Sequence, residues 1–432
     1  VTETFAYVIV GGGSAGCVLA NRLSEDASVL VIEAGPDDVP AQLGHPKLLL
    51  DDVGPADWGY RSTSQPGLRG RTAPVTHGRL LGGTSAINGL LYLRGDPTDY
   101  DTWVELGAPG WGAGALEPYF QRIENCVDVD EPGLGHAGPL HLEHLGAHGP
   151  HPGAHAFLDA ATANGHKALR TFEGAGGLEG AGYFHANIRE GRRFNAREAY
   201  LDPVRPRPNL TVWTDTRVTE LIFAGNRCSG VRCRRGGAEI DVGADGEVIL
   251  AASALESPKL LMLSGIGDPA ALASIGVQVR VPLPGVGANL HDHVMVTLNF
   301  PSAGPAVEPY FLTEAAVFHR SHPGLAEPDL ETIFVPRGIG ADQDPGYGHA
   351  AALICVLVRP RSTGSLSLDS ADPLHHPVID PGFLRADEDV TALAGAVTHA
   401  LDLARRPEMA PWIAGPTTTA GLGDHPAGPA LH

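Results

Sequence analysis

Three glycines, Gly11, Gly13 and Gly16, stand after the apolar run at residues 5–10 and before a segment at 14–23 with Val18, Leu19 and Leu23 on one helical face. A second apolar run at 29–32 ends on Glu33. Each part has a physical use. Gly11 allows a tight turn, Gly13 lets the backbone approach a pyrophosphate, and Gly16 lets the helix pack closely on its strand. The helix that opens at Ser14 presents free N–H groups and the positive end of its dipole to an anion. Glu33 can accept hydrogen bonds from both hydroxyls of a ribose, and its charge repels a 2′-phosphate, which disfavours an NADP-type ligand. A glycine-rich turn in an ordinary α/β sheet would show the same three glycines. The flanking runs, the helix and the acid together favour a dinucleotide site. They do not separate FAD from NAD.

Other chemistry-bearing residues are less organised. His291 and His293 flank Asp292, but alternate residues of an extended segment point to opposite faces, which disfavours one shared metal. His141, His144, His148, His151 and His155 have near-helical spacing. Gly146, Gly149, Pro150 and Pro152 interrupt it, so a solvated loop is expected and no metal site. The five cysteines show no CxxC or zinc-ribbon spacing and fit a reducing compartment. Cys17, just after the glycine turn, reads as a packing residue rather than a redox thiol.

The elements that must carry these residues follow from periodicity. Strand, glycine turn, helix and strand within about thirty residues form a βαβ unit and imply a parallel sheet. Strand patterns return at 210–213, 218–223, 230–234 and 247–251, a helix at 257–263, and an amphipathic helix at 389–404. The chain has 432 residues, 43% of them hydrophobic and 19% charged, enough for two or three domains with sizeable cores. Its formal net charge of -20 argues against nucleic acid as a partner and against an anionic membrane surface. No run of eighteen apolar residues suggests a transmembrane helix. No charged leader precedes the first strand pattern, so a cytoplasmic location is expected.

Three longer segments carry a resemblance. His77-Gly-Arg-Leu-Leu-Gly-Gly-Thr-Ser-Ala-Ile-Asn-Gly-Leu-Leu-Tyr-Leu-Arg-Gly95 resembles the first signature of the glucose-methanol-choline (GMC) oxidoreductases. Ser253-Ala-Leu-Glu-Ser-Pro-Lys-Leu-Leu-Met-Leu-Ser-Gly-Ile-Gly267 resembles the second, and Pro284-Gly-Val-Gly-Ala-Asn-Leu-His-Asp-His293 the loop that follows it. With the opening glycine segment, the resemblance is closest to the choline-dehydrogenase-like branch. It implies an α/β flavin domain of Rossmann type, interrupted by an α+β substrate domain of antiparallel sheet and helices, with FAD as cofactor. The expected division is 1–140 with 190–296 for FAD and 141–189 with 297–432 for substrate. The resemblance implies that Gly11, Gly13, Ser14, Gly16 and Glu33 hold the ADP half, and that Gly82, Gly83, Thr84 and Asn88 lie against flavin and pyrophosphate. A Gly-Gly-Thr-Ser run at a helix start gives close backbone approach and donors for an anion. Val218 matches a position whose backbone contacts adenine, although a plain strand residue would look the same, and Asn88 would also suit a helix cap. Some relatives tether the flavin through a histidine one residue before this asparagine. Ile87 stands there, so FAD is expected to be dissociable.

The implied reaction is oxidation of a primary or secondary alcohol by hydride transfer to flavin. The electron acceptor stays open among oxygen, a quinone and a redox protein. The family's late segment, of the form His-Pro-x-Gly-Thr-x-x-Met-Gly, is not found in these 432 residues. Asp424-His-Pro-Ala-Gly-Pro429 shares only His-Pro-x-Gly. A chain lacking that segment is expected to be a poor catalyst with its base unassigned, and His425 and His291 are the candidates. Two alternatives remain at this point: a hydroxynitrile lyase-like enzyme that keeps FAD, and a catalytically impaired flavin-binding fragment.

Overall fold

The computed structural model describes residues 3–46, 53–174, 177–302, 304–339 and 348–418. The chain divides into two compact units, Val1–Leu90 with Glu190–His291 and Thr363–Phe383, and Leu91–Arg189 with Asp292–Ser362 and Leu384–His432.

The first unit is built on a six-stranded sheet. Its elements are β1 (Glu3–Val10), α1 (Ser14–Leu23), β2 (Val29–Ile32), β3 (Leu210–Trp213), β4 (Thr216–Ala224), β5 (Arg227–Arg235), β6 (Ala238–Leu250) and α2 (Ser253–Leu263). The strand order is β3-β2-β1-β6-β5-β4. β1 is central and pairs in parallel with β2 and β6, and β2 pairs in parallel with β3. β6, β5 and β4 form an antiparallel meander. Each strand expected in this region is present. β2 and the C-terminal half of β1, Val8–Val10, are continuous buried apolar runs, as strands covered on both faces require. Val8, Val10, Leu30, Ile32, Val231 and Val242 pack with Leu260 of α2 in one core. The sheet therefore aligns the C-terminal ends of β1, β2 and β3 and fixes the backbone of the glycine turn.

The second unit has a five-stranded antiparallel sheet, ordered Val294–Pro301, Ala350–Leu357, Leu330–Val335, Ala315–His319, Gly180–Tyr183. Helices Pro152–Ala163 and Asp387–Ala404 pack on it: Phe157 stacks on Phe334, and the Cys355 thiol donates to the Ala396 carbonyl at 3.7 Å.

The compact units divide the chain differently from the expected domains at two places. Residues 91–140 belong to the second unit, because Leu91–Tyr92 pairs with His185–Ala186 and Glu124–Cys126 with Leu140–His144. Thr363–Phe383 returns to the first unit, where Gly364–Ser367 pairs with Ala288–Leu290 and with Val378–Asp380. The histidine-rich stretch at 141–155 is not a loop throughout. Leu140–His144 is a strand, and Pro152 opens a helix at its first position, where proline lacks only an N–H that would be unpaired. His151 caps that helix, its Nδ1 accepting from Gly153 N–H at 3.0 Å. Among the described residues no helix is long and apolar enough to cross a membrane, and no group of three or more His, Cys, Asp or Glu is arranged to hold a metal ion.

Candidate cofactor site

The turn after β1 is held by backbone contacts that only glycine permits. Gly11 N–H donates to the Ile32 carbonyl at 2.8 Å, and Gly11 has φ +103°. A Cβ there would lie 2.5 Å from the Ala251 carbonyl oxygen. At Gly16 a Cβ would lie 1.9 Å from the Gly11 carbonyl oxygen, so this glycine seats α1 on the turn. Gly13 differs. It precedes α1 with φ -79°, and a Cβ there would meet only Gly83 Cα at 3.8 Å. Its missing side chain leaves space open in front of the helix. No side chain caps α1, so its first N–H groups stay available to an anion.

Glu33 is buried at the end of β2. Its Oε2 accepts from Gly12 N–H and its Oε1 from Gly35 N–H, both at 2.8 Å. Burial pushes its carboxyl upward, and the N–H groups of Gly35 and Gly12 oppose that shift. The acid thus braces the glycine turn as well as facing the space beside it. Behind the turn, the Cys17 thiol donates to the Gly12 carbonyl at 3.3 Å, and burial pushes it up to about 12. It is a packed, protonated thiol.

The second glycine run docks on the first. Gly82 N–H donates to the Gly12 carbonyl at 2.8 Å. Gly82 and Gly83 both have positive φ, +98° and +55°. The helix expected here is a single 3-10 turn, Gly83–Ala86. Thr84 Oγ1 accepts from Gly78 N–H at 3.1 Å.

A cavity of about 500 Å³ joins these pieces within the first unit. Gly11, Gly13, Ser14 and Glu33 line one part of it, Gly83 and Thr84 another, and Val218 on β4 a third. Gly16 and Gly82 are not on its wall; they support it from behind. Asn88 does not line it either: its Oδ1 accepts from Arg193 Nη1 at 3.0 Å and from Leu90 N–H at 3.1 Å. His291 is exposed and lies off this wall. His425 lies outside the described residues. Sequence reasoning missed Trp58, His77, Arg217 and Glu256, all of which line the cavity. Glu256 belongs to the 253–267 segment and Arg217 precedes Val218, so both stood beside positions already singled out. Trp58, in a Pro/Gly-rich stretch, gave no such signal. The donor set suits a dinucleotide: uncapped helix N–H groups, a carboxylate in the wall, and an open cradle at Gly13 that a side chain would fill.

Comparison with known proteins identifies the family. Residues 5–295 match the N-terminal model of the GMC oxidoreductases, and residues 360–427 the C-terminal one. This chain belongs to the GMC oxidoreductase family. It is an FAD-dependent oxidoreductase acting on CH–OH donors. It is 35% identical to the oxygen-dependent choline dehydrogenase of Rhizobium meliloti (strain 1021), covering 94% of this chain and 80% of that protein. A choline dehydrogenase of the same description from Staphylococcus saprophyticus is 36% identical, with 96% and 79% covered. Among solved structures, pyridoxine 4-oxidase from Mesorbium loti superposes with a TM-score of 0.90 at 32% identity, covering 98% of this chain and 84% of that one. A formate oxidase superposes with a TM-score of 0.85 at 26% identity, covering 95% and 83%.

Proposed function

We propose that the cavity of the first unit holds the ADP half of FAD, and that the second unit supplies the substrate side of a small-molecule alcohol oxidation. The observation that carries this is the single cavity into which Gly13, Ser14, Glu33, Gly83 and Thr84 converge. The N–H groups at the start of α1 bind the pyrophosphate, and Glu33 accepts from the ribose hydroxyls. Gly83 and Thr84 bring backbone to the flavin side of the pyrophosphate, and Val218 supplies backbone at the adenine side. Asn88 acts indirectly by fixing Arg193 rather than by lining this space. When bound, FAD accepts the hydride; the chain must place the alcohol and take its hydroxyl proton, for which an imidazole near neutral pKa is suited.

Ile87 supports a dissociable cofactor. It is buried in an apolar cluster with Leu43, Leu80 and Ala86, with no nucleophile at that position. A cytoplasmic location is proposed on the cysteines, all five free and four of them buried.

The test is anaerobic flavin reduction over a panel of primary and secondary alcohols. Bleaching of the flavin by any of them establishes the reaction. Retention of FAD without bleaching, together with cyanide release from mandelonitrile, would replace it with the lyase reading. Where bleaching occurs, His425→Ala and His291→Ala are compared, and loss with one of them identifies the base.

A further inference from the structure

One end of the cavity is not accounted for by the glycine turn and Glu33. Thr216 N–H donates to the Glu33 carbonyl at 3.0 Å, so the start of β4 lies directly beyond the acid. Arg217 is the next residue and lines the same cavity with Trp58, Val218 and Glu256. Its guanidinium lies over the Trp58 indole, 5.0 Å from the ring centre. Its Nη2 donates to Glu256 Oε2 at 3.4 Å. Glu256 is held in turn: its Oε1 accepts from the Tyr60 hydroxyl at 2.6 Å and from Lys259 Nζ at 3.2 Å. Tyr60 stacks on Trp58 with ring centres 5.6 Å apart and planes within 11°. The guanidinium is thus fixed by an aromatic face on one side and a braced carboxylate on another. Its Nε is nevertheless buried and has no hydrogen-bond partner among the described residues. A buried donor left unpaired is costly. The side chain is 19% exposed, and this open part of the guanidinium, rather than Nε, is what a ligand in the cavity meets.

We propose that Arg217, held flat by Trp58 and Glu256, recognises the purine ring of the cofactor. The proposal rests on the FAD reading above. With pyrophosphate at the glycine turn and ribose at Glu33, the base falls at residues 216–218. A purine offers ring-nitrogen lone pairs to the guanidinium's N–H groups and a π-face to its plane. A phosphate is the weaker match, because the anion-binding N–H groups stand at α1. A lysine would lack both the plane and the directed fork.

The experiment uses the 432-residue chain stripped of flavin, titrated calorimetrically with ADP and with UDP, which share ribose and pyrophosphate but differ in base. The unmodified chain is expected to prefer ADP. Arg217→Met is expected to weaken ADP by about ten- to a hundredfold, the range of one hydrogen bond to a charged group, and to bring the two affinities together. Arg217→Lys keeps the charge and should lose the preference as well; it carries the test if the methionine variant fails to fold. Equal weakening of ADP and UDP would assign Arg217 to the phosphates and overturn the proposal, as would an unchanged preference in both variants. FAD titration of the unmodified chain separates the two levels. No uptake of FAD removes the cofactor reading and this proposal with it, whereas FAD uptake with an Arg217-independent preference removes this proposal alone.

Discussion

Gly83 stands directly against Gly13: a Cβ on residue 83 would lie 2.7 Å from Gly13 Cα, closer than carbon atoms tolerate. The contact is not symmetrical. Gly83 has φ +55°, where an L side chain is strained, while Gly13 has φ -79° and open space where its side chain would be. Gly83→Ala should therefore destabilise the first unit, by about 1–2 kcal/mol from the left-handed backbone alone, and separate the two glycine runs. Gly13→Ala should melt close to the unmodified chain yet bind FAD at least about tenfold more weakly, because its methyl group enters the cradle. Thermal melts with FAD titrations check both. A Gly13→Ala variant with full FAD affinity would show that the pyrophosphate does not rest there.

Glu33→Gln should cost more than a ribose contact. One charged hydrogen bond is worth about 1.5–3 kcal/mol, or one to two decades in FAD affinity. The carboxylate also accepts from Gly12 and Gly35 through separate oxygens. An amide has one oxygen, so its NH₂ would face one of these donors. FAD affinity and melting temperature should fall together, and restored stability in saturating FAD would be incomplete. Unchanged affinity would mean that Glu33 serves the turn alone.

FAD should leave with the supernatant when the protein is precipitated with acid, since Ile87 offers no atom for a covalent bond. A pellet that stays yellow would place a tether elsewhere.

The part of the site legible in the sequence is the part that is local. Gly11, Gly13, Ser14 and Glu33 act within one βαβ unit, where strand ends and helix start determine each other. Gly83 and Thr84 were legible through a long signature, but not as a single 3-10 turn. That Asn88 lies off the cavity wall was not legible, because its partner, Arg193, comes from more than a hundred residues away. Trp58 and Arg217 meet only after the meander β4–β6 has folded beside β1, and no spacing rule records that. The division into compact units was not legible for the same reason: residues 91–140 read as a continuation of the first unit, whereas Leu91–Tyr92 pairs with His185–Ala186.

Acid sensitivity of the second unit should centre on three histidines that the cofactor does not involve. His319 ends the strand Ala315–His319, His399 lies on the helix Asp387–Ala404, and His166 follows the helix Pro152–Ala163. The rings of His319 and His399 are 4.0 Å apart, and His166 Nε2 and His399 Nε2 share a hydrogen bond at 2.7 Å. His319 Nε2 and His399 Nδ1 are buried with no partner among the described residues. Burial, and then repulsion from the neighbouring imidazoles, lowers His319 to about 4 and His399 to about 3. His166 is lowered by burial against a weak pull from Glu179, and Asp329 acts the same way on His319. Unfolded, each would titrate near 6.5. Below that pH the unfolded chain holds more protons, so the contribution of the cluster is complete above pH 6.5 and is lost as pH falls toward 4. His399→Leu removes the most strongly shifted group. Its melting temperature should fall less between pH 7 and 5 than that of the unmodified chain, by an amount equivalent to about 2 kcal/mol. His144 and His151, each lowered to about 4 mainly by burial, remain in the variant and set its residual slope. Parallel pH profiles for the two proteins would show that the acid limb belongs to those residues and not to the cluster.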